Sequence, residues 1–167
     1  MRAVQSPSAY LLTWTCYGTW LHGDPRGSVD ADHRVPRTAY LPADPRRQQR
    51  AAGGLRSPKA ELSAVARQVV HKAILDHCAF RGWEVLALNV RSNHVHAVIA
   101  CGDLAPKTAL SQLRAWSTRR LRAAGLFTID QKVWTEHGST RYLWDDAAVH
   151  NAVDYVTEGQ GPDLPAD

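Results

Sequence analysis

The chain has 167 residues, 44% of them hydrophobic and 22% charged, with a net charge of +4. That is the length and composition of one folded domain, which excludes a mainly disordered or fibrous protein. No apolar run approaches the roughly 18 residues of a membrane span, residues 1–8 lack the apolar core of a secretory signal, and Cys16, Cys78 and Cys101 stand too far apart for a thiolate zinc site or a disulfide framework, so a cytoplasmic protein is expected.

In chain order, YLLTWTCY (10–17) is aromatic and β-branched and predicts a buried strand. From Gly18 to Pro58 the periodicity is lost, and prolines, RRQQR and AAGG predict a loop insertion over 24–58, with Trp20 and Leu21 anchoring its start. Ser57-Pro58 predicts a helix start, and the helix should run to Ala79, burying Leu62, Val65, Val69, Val70, Ala73 and Ile74, with Gly82 stopping it. WEVLALNV (83–90) and HVHAVIAC (94–101) flank the short turn Arg91-Ser92-Asn93 and predict an antiparallel hairpin. Residues 106–124 read as a helix with Leu110, Leu113, Trp116 and Leu121 inward and Lys107, Arg114 and Arg122 on the other side. Residues 133–144 supply a strand or two with a turn at His137-Gly138-Ser139, and Asp145 or Asp146 caps a last helix from Ala147 to Glu158, which Gly159 and Gly161-Pro162 end. The order β-α-β-β-α-β-α predicts an α+β protein, a ferredoxin-like split βαβ antiparallel sheet with helices on one face, as a single domain over 1–167.

Charge is unevenly placed. Residues 26–59 hold eight Lys and Arg against three Asp, residues 106–124 hold Lys107, Arg114, Arg119, Arg120 and Arg122 with no acid, and residues 130–167 hold eight acids against two bases. Arginine predominates, and its planar fork suits bidentate phosphate contacts. Charge alone fits a polyanion partner and a solvated arginine-rich surface equally well.

Chemistry is concentrated in two places. In Ser92-Asn93-His94-Val95-His96, strand alternation puts His94 and His96 on one face and Val95 on the other. Two neutral imidazoles at that spacing suit a divalent ion completed by carboxylate, amide or water oxygens, and suit a polar sheet face equally. On the last helix Val149, Val153 and Val156 form the core stripe, with Asn151, Tyr155 and Glu158 together at its side. Tyr155 is an amphipathic packing residue by itself. Beside a metal held by His94 and His96 its phenolic oxygen could attack phosphorus and form a phosphotyrosine, with Glu158 or Gln160 in reach as a third ligand. Tyr142 is a rival nucleophile in a strand-like stretch, His22 and Asp24 read as part of a turn, and His71, His77, His137 and His150 read as structural.

SNHVHAVI and AVDYVTEGQG, with YLLTWTCYGTWLHGD and VWTEHGSTRYLW, resemble the single-tyrosine HUH transposases of bacterial insertion sequences and the REP-associated tyrosine transposases. The resemblance spans residues 10–160, apart from the insertion. It implies an HUH endonuclease-type fold, His94 and His96 as ligands of Mg²⁺ or Mn²⁺, and Tyr155 as a nucleophile that cleaves single-stranded DNA, keeps its 5′ phosphate and releases a 3′ hydroxyl. It implies strand transfer without ATP. The family's third ligand is a glutamine four residues after the tyrosine. Here Gly159 stands there, so Glu158 and Gln160 compete, and Glu158 is favoured by its i+3 position and by the preference of Mg²⁺ for carboxylates. The resemblance also implies hairpin DNA as partner, with phosphates tracked by Lys107, Arg114, Arg122 and the insertion's Arg46 and Arg47, and unpaired bases stacked on Trp20 or Trp116. A homodimer in the bacterial cytoplasm, associated with the nucleoid when on DNA, is expected. Two other readings compete: a domesticated protein that holds hairpin DNA or RNA without cutting, and a metal phosphodiesterase that uses water.

Overall fold

A computed structural model of the chain describes residues 6–19 and 43–160. Trp20, Leu21, His22, Asp24, most of the 24–58 segment, Gly161 and Pro162 lie outside the described residues.

Strand β1 (Ala9–Cys16) sends Tyr10, Leu12, Trp14 and Cys16 into one core and Leu11, Thr13 and Thr15 to the opposite face. A helix, α1 (Pro45–Gly53), lies inside the stretch read as a loop. Asp44 caps it by accepting from the Arg46 and Arg47 backbone N–H groups, and it buries no residue, so it carries no apolar period to read.

Helix α2 (Ala64–Arg81) begins six residues later than Ser57-Pro58 predicts, with Ser63 as its cap. The Ser57 hydroxyl is engaged elsewhere, accepting from the Lys132 N–H. Ala60 and Leu62 donate their N–H groups to the carbonyls of Tyr17 and Ser92, so this link is pinned to β1 and to the next turn rather than coiled. The later start leaves Val65 exposed while Ala66, Val70, Ala73, Ile74 and Cys78 are buried. Gly82 ends the helix in the left-handed conformation at φ 67°, as predicted.

The hairpin β2 (Glu84–Val90) and β3 (His94–Ala100) and the helix α3 (Pro106–Ala123) fall where the sequence indicates, with Leu110, Leu113 and Leu121 buried. Trp116 is only half-buried. Strand β4 (Trp134–Leu143) is continuous and runs through the predicted turn. Gly138 lies opposite Trp14, where a Cβ would sit 2.9 Å from the Thr13 carbonyl oxygen and 2.7 Å from a Leu110 methyl. The glycine permits close approach to β1 and α3 and makes no turn. Asp145 caps α4 (Asp146–Thr157), accepting from the Ala148 N–H at 2.7 Å.

The four strands form one antiparallel sheet in the order β2-β3-β1-β4, which is the split βαβ arrangement of an α+β protein. Helices α2 and α3 cover the face that carries Leu12, Trp14, Val95, Ala97 and Ile99. Helix α4 covers the other face, packing Ala152 and Val156 with Val98, Ala87 and Leu143, so helices occupy both faces and not one. The reason is β3, which is apolar on both sides beyond its histidines and needs a cover on each. Among the described residues no helix is long and apolar enough to cross a membrane.

Candidate active site

The face under α4 turns polar at one end. Strand register aligns Asn89, His96, Thr13 and Ser139 in a row across all four strands, with His94 beside Thr15. Of this row, His96, Thr13 and Ser139 floor a cavity of about 710 Å³ whose wall is α4, through Ala148, Asn151, Ala152 and Tyr155, with Gln160 just beyond the helix.

His96 is 6% exposed, and its Nδ1 lies 2.8 Å from the Thr13 hydroxyl. Burial, helped by the neighbouring His94, pushes its pKa down to about 4 against a contact with Gln160 that favours the charged form. His96 is therefore neutral at pH 7, as a metal ligand must be. His94 Nδ1 lies 2.6 Å from the Asn93 side-chain oxygen. An amide oxygen only accepts, so with this assignment Nδ1 carries the proton and the lone pair is on Nε2. That Nε2 faces the Gln160 amide oxygen at 3.3 Å. Two acceptors turned towards one another are what a cation between them would bridge. Ligands about 2.1 Å from an ion and near a right angle apart stand roughly 3 Å from each other.

Gln160 is held towards the histidines. Its amide N–H donates to the Tyr155 carbonyl at 3.1 Å, which leaves the amide oxygen towards the histidines. Glu158 caps the helix end in the right-handed conformation, with its N–H still bonded to the Asp154 carbonyl, so it keeps its i+3 relation to Tyr155. Glu158 is exposed and does not line the cavity, whereas Gln160 does. Gly159 makes this possible, because a Cβ there would lie 2.7 Å from the Tyr155 carbonyl oxygen and 3.2 Å from its ring. Gln160→Ala is accordingly expected to weaken Mn²⁺ binding at least about tenfold while Glu158→Ala leaves it unchanged, as measured by titration calorimetry. Equal effects from the two substitutions would return the role to Glu158.

The Tyr155 ring stands edge-on to His96 with centroids 5.4 Å apart and is 47% exposed, on the cavity rather than in the core. Asn89 fixes the helix end over the sheet by donating its side-chain N–H to the Val156 carbonyl at 3.0 Å. Tyr142 projects from the opposite face, edge-on to Tyr10 at 5.2 Å and stacked on Trp144 at 5.7 Å. It is no rival nucleophile at this cavity.

None of the five basic residues singled out by sequence lines the cavity. Arg114 donates to the carbonyls of Thr135 and Glu136, and Arg122 donates to those of Ile129 and Gln131, so both guanidinium groups tie α3 to the chain around β4. Lys107, Arg46 and Arg47 are exposed. Trp116 lies under the Arg119 and Arg120 guanidinium groups and near His77. Sequence reasoning missed Thr13, Asn89, Asn93, Ser139 and Arg141 as site residues. Thr13 and Thr15 were readable signals, two hydroxyls on alternate positions of an otherwise apolar strand.

His96 also makes stability pH-dependent. Its pKa is 6.5 in the unfolded chain and about 4 in the folded one, so between these values the unfolded state binds more protons. Stability should fall as pH drops from 6.5 towards 4, by at most about 3 kcal/mol. Urea midpoints should show this fall in the metal-free protein and a shallower one in His96→Asn. Parallel curves would contradict it.

No protein-family profile matches the sequence, and no curated protein matches it significantly. Among solved structures the chain is similar to a REP-associated tyrosine transposase bound to a REP hairpin, with 14% identity and a TM-score of 0.50 over 93% of this chain and 68% of that one. The likeness is one of fold, in the four-stranded antiparallel sheet and its helices.

Proposed function

We propose that the protein is a metal-dependent enzyme that nicks single-stranded DNA and transfers the strand through a covalent 5′-phosphotyrosine, in the manner of the tyrosine transposases. The observation that carries this reading is the meeting of His94, His96, Tyr155 and Gln160 at one cavity. Among the described residues no three His, Cys, Asp or Glu side chains come together, and the donor set is two imidazoles and an amide oxygen. That set fits Mg²⁺ or Mn²⁺ completed by water and phosphate oxygens. Such an ion would polarise a non-bridging phosphate oxygen.

The protein's own groups do the rest. Thr13 and Asn93 orient the two imidazoles, as outer partners of metal ligands do. The Tyr155 oxygen attacks phosphorus, the O–P bond to tyrosine forms as the bond to O3′ breaks, the phenolic proton passes to solvent, and O3′ takes a proton as it leaves. The new ester keeps the bond energy, so an incoming 3′ hydroxyl can reverse the step without ATP.

The solved neighbour is bound to a REP hairpin, which supports hairpin or single-stranded DNA as the partner. The exposed Lys107, Arg46 and Arg47 would contact its phosphates in this reading. A homodimer whose active sites are each built from one chain belongs to the same proposal, as does a single domain over 1–167. The test is to mix the protein with labelled single-stranded DNA containing hairpins from the sequence flanking its gene, in Mg²⁺, Mn²⁺ or EDTA, and run a denaturing gel. A metal-dependent protein–DNA band is expected. Free cleavage products with no such band would mean hydrolysis by water, and binding without cleavage would mean a domesticated binder.

A further inference from the structure

Arg141 is the only Lys, Arg, Asp or Glu side chain that lines the cavity among the described residues. It is exposed, and among the described residues it forms no hydrogen bond or ion pair, in contrast to Arg114 and Arg122, whose guanidinium groups are spent on carbonyls. A cavity with one positive charge, no carboxylate and a floor of Thr15 and Ser139 hydroxyls is built to take an anion. Arg141 is not at the histidines. It pairs with Leu11, two residues along β4 from Ser139, which shares a row with Thr13 and His96. With strands about 4.8 Å apart and a rise of about 3.4 Å per residue, its Cα lies roughly 12 Å from that of His96. The α4 wall of the cavity is made by the small Ala148 and Ala152 together with Asn151 and Tyr155.

We infer that Arg141 forms a second phosphate subsite, which grips a backbone phosphate neighbouring the one at Tyr155 and the histidines. A bidentate guanidinium there would fix the direction in which the strand crosses the sheet and hold the scissile linkage against the tyrosine. The inference rests on the strand-cleavage reading for the identity of the ligand and concerns binding alone.

Its test therefore needs no cleavage. Binding of a five-nucleotide thymidine strand is measured by fluorescence anisotropy in EDTA, for wild type, Arg141→Ala and Arg141→Lys, over a series of salt concentrations. The strand is used as it is and with each phosphate in turn replaced by a neutral methylphosphonate. Arg141→Ala should bind at least about tenfold more weakly, with the salt slope reduced by about 0.7. One neutral linkage should weaken the wild type by a similar factor and leave Arg141→Ala indifferent. Arg141→Lys should keep the salt slope and lose part of the affinity. Failure of the wild type to bind, equal binding by Arg141→Ala, or equal sensitivity of both proteins to every neutral linkage would overturn the inference. Because Tyr155 takes no part in this measurement, a missing protein–DNA adduct would sink the cleavage reading and leave the phosphate subsite standing, and the converse holds.

Discussion

Replacing His96 by alanine should abolish metal-dependent cleavage, lowering the rate roughly 10³-fold or more. His96 is the buried member of the histidine pair and is kept neutral at pH 7 by its surroundings, so the imidazole has a lone pair to give. Losing it leaves only His94 and Gln160 as candidate ligands and strands the Thr13 hydroxyl, which lies 2.8 Å from the imidazole. Mn²⁺ titration followed by electron paramagnetic resonance should show the tight site gone in His96→Ala. Thr13→Val keeps both ligands and loses only the orienting hydrogen bond, and it should cost about 10–100-fold in metal affinity. Wild-type Mn²⁺ affinity in folded His96→Ala would remove the histidine pair from the site.

Tyr155→Phe carries the second large effect. The ring keeps its edge-on contact with His96 and its place on α4, and because the side chain is half in solvent the fold should change in stability by no more than about 0.5 kcal/mol. Only the phenolic oxygen is lost. Strand cleavage should fall roughly 10³-fold or more with metal and DNA binding intact, a pattern that separates chemistry from assembly. Cleavage in Tyr155→Phe at the wild-type rate would assign the attack to water.

The readable parts of this protein are those where local pattern and packing agree. YLLTWTCY, α3 and the Asp145-capped α4 each bury an apolar stripe, and the hairpin's two apolar runs flank a short turn, so the pattern coincides with the observed elements. Helix α1 buries nothing and is invisible to periodicity. Ser57-Pro58 has the chemistry of a helix start, but the Ser57 hydroxyl is used by Lys132, a partner 75 residues away that no local window contains. Gly138 looks like a turn residue and is a clearance residue for β1 and α3.

The site follows the same division. His94, His96 and Tyr155 were legible because strand and helix periodicity place them. That Gln160 and not Glu158 lines the cavity was not, because it depends on Gln160 folding back to the Tyr155 carbonyl. Thr13, Asn89 and Arg141 gain their positions from cross-strand register, which links residues far apart in the chain. Basic residues were the least legible, since Arg114 and Arg122 match a phosphate-tracking helix face in sequence and hold carbonyls in the fold.

The most direct measurement is mass spectrometry of the protein after reaction with hairpin-containing single-stranded DNA and Mn²⁺, followed by digestion to find the modified peptide. Tyrosine-mediated strand cleavage predicts a peptide containing Tyr155 heavier by a 5′-phosphorylated oligonucleotide, and a released fragment ending in a 3′ hydroxyl. Cleaved DNA alongside unmodified Tyr155, or an oligonucleotide attached to any other residue, would contradict it.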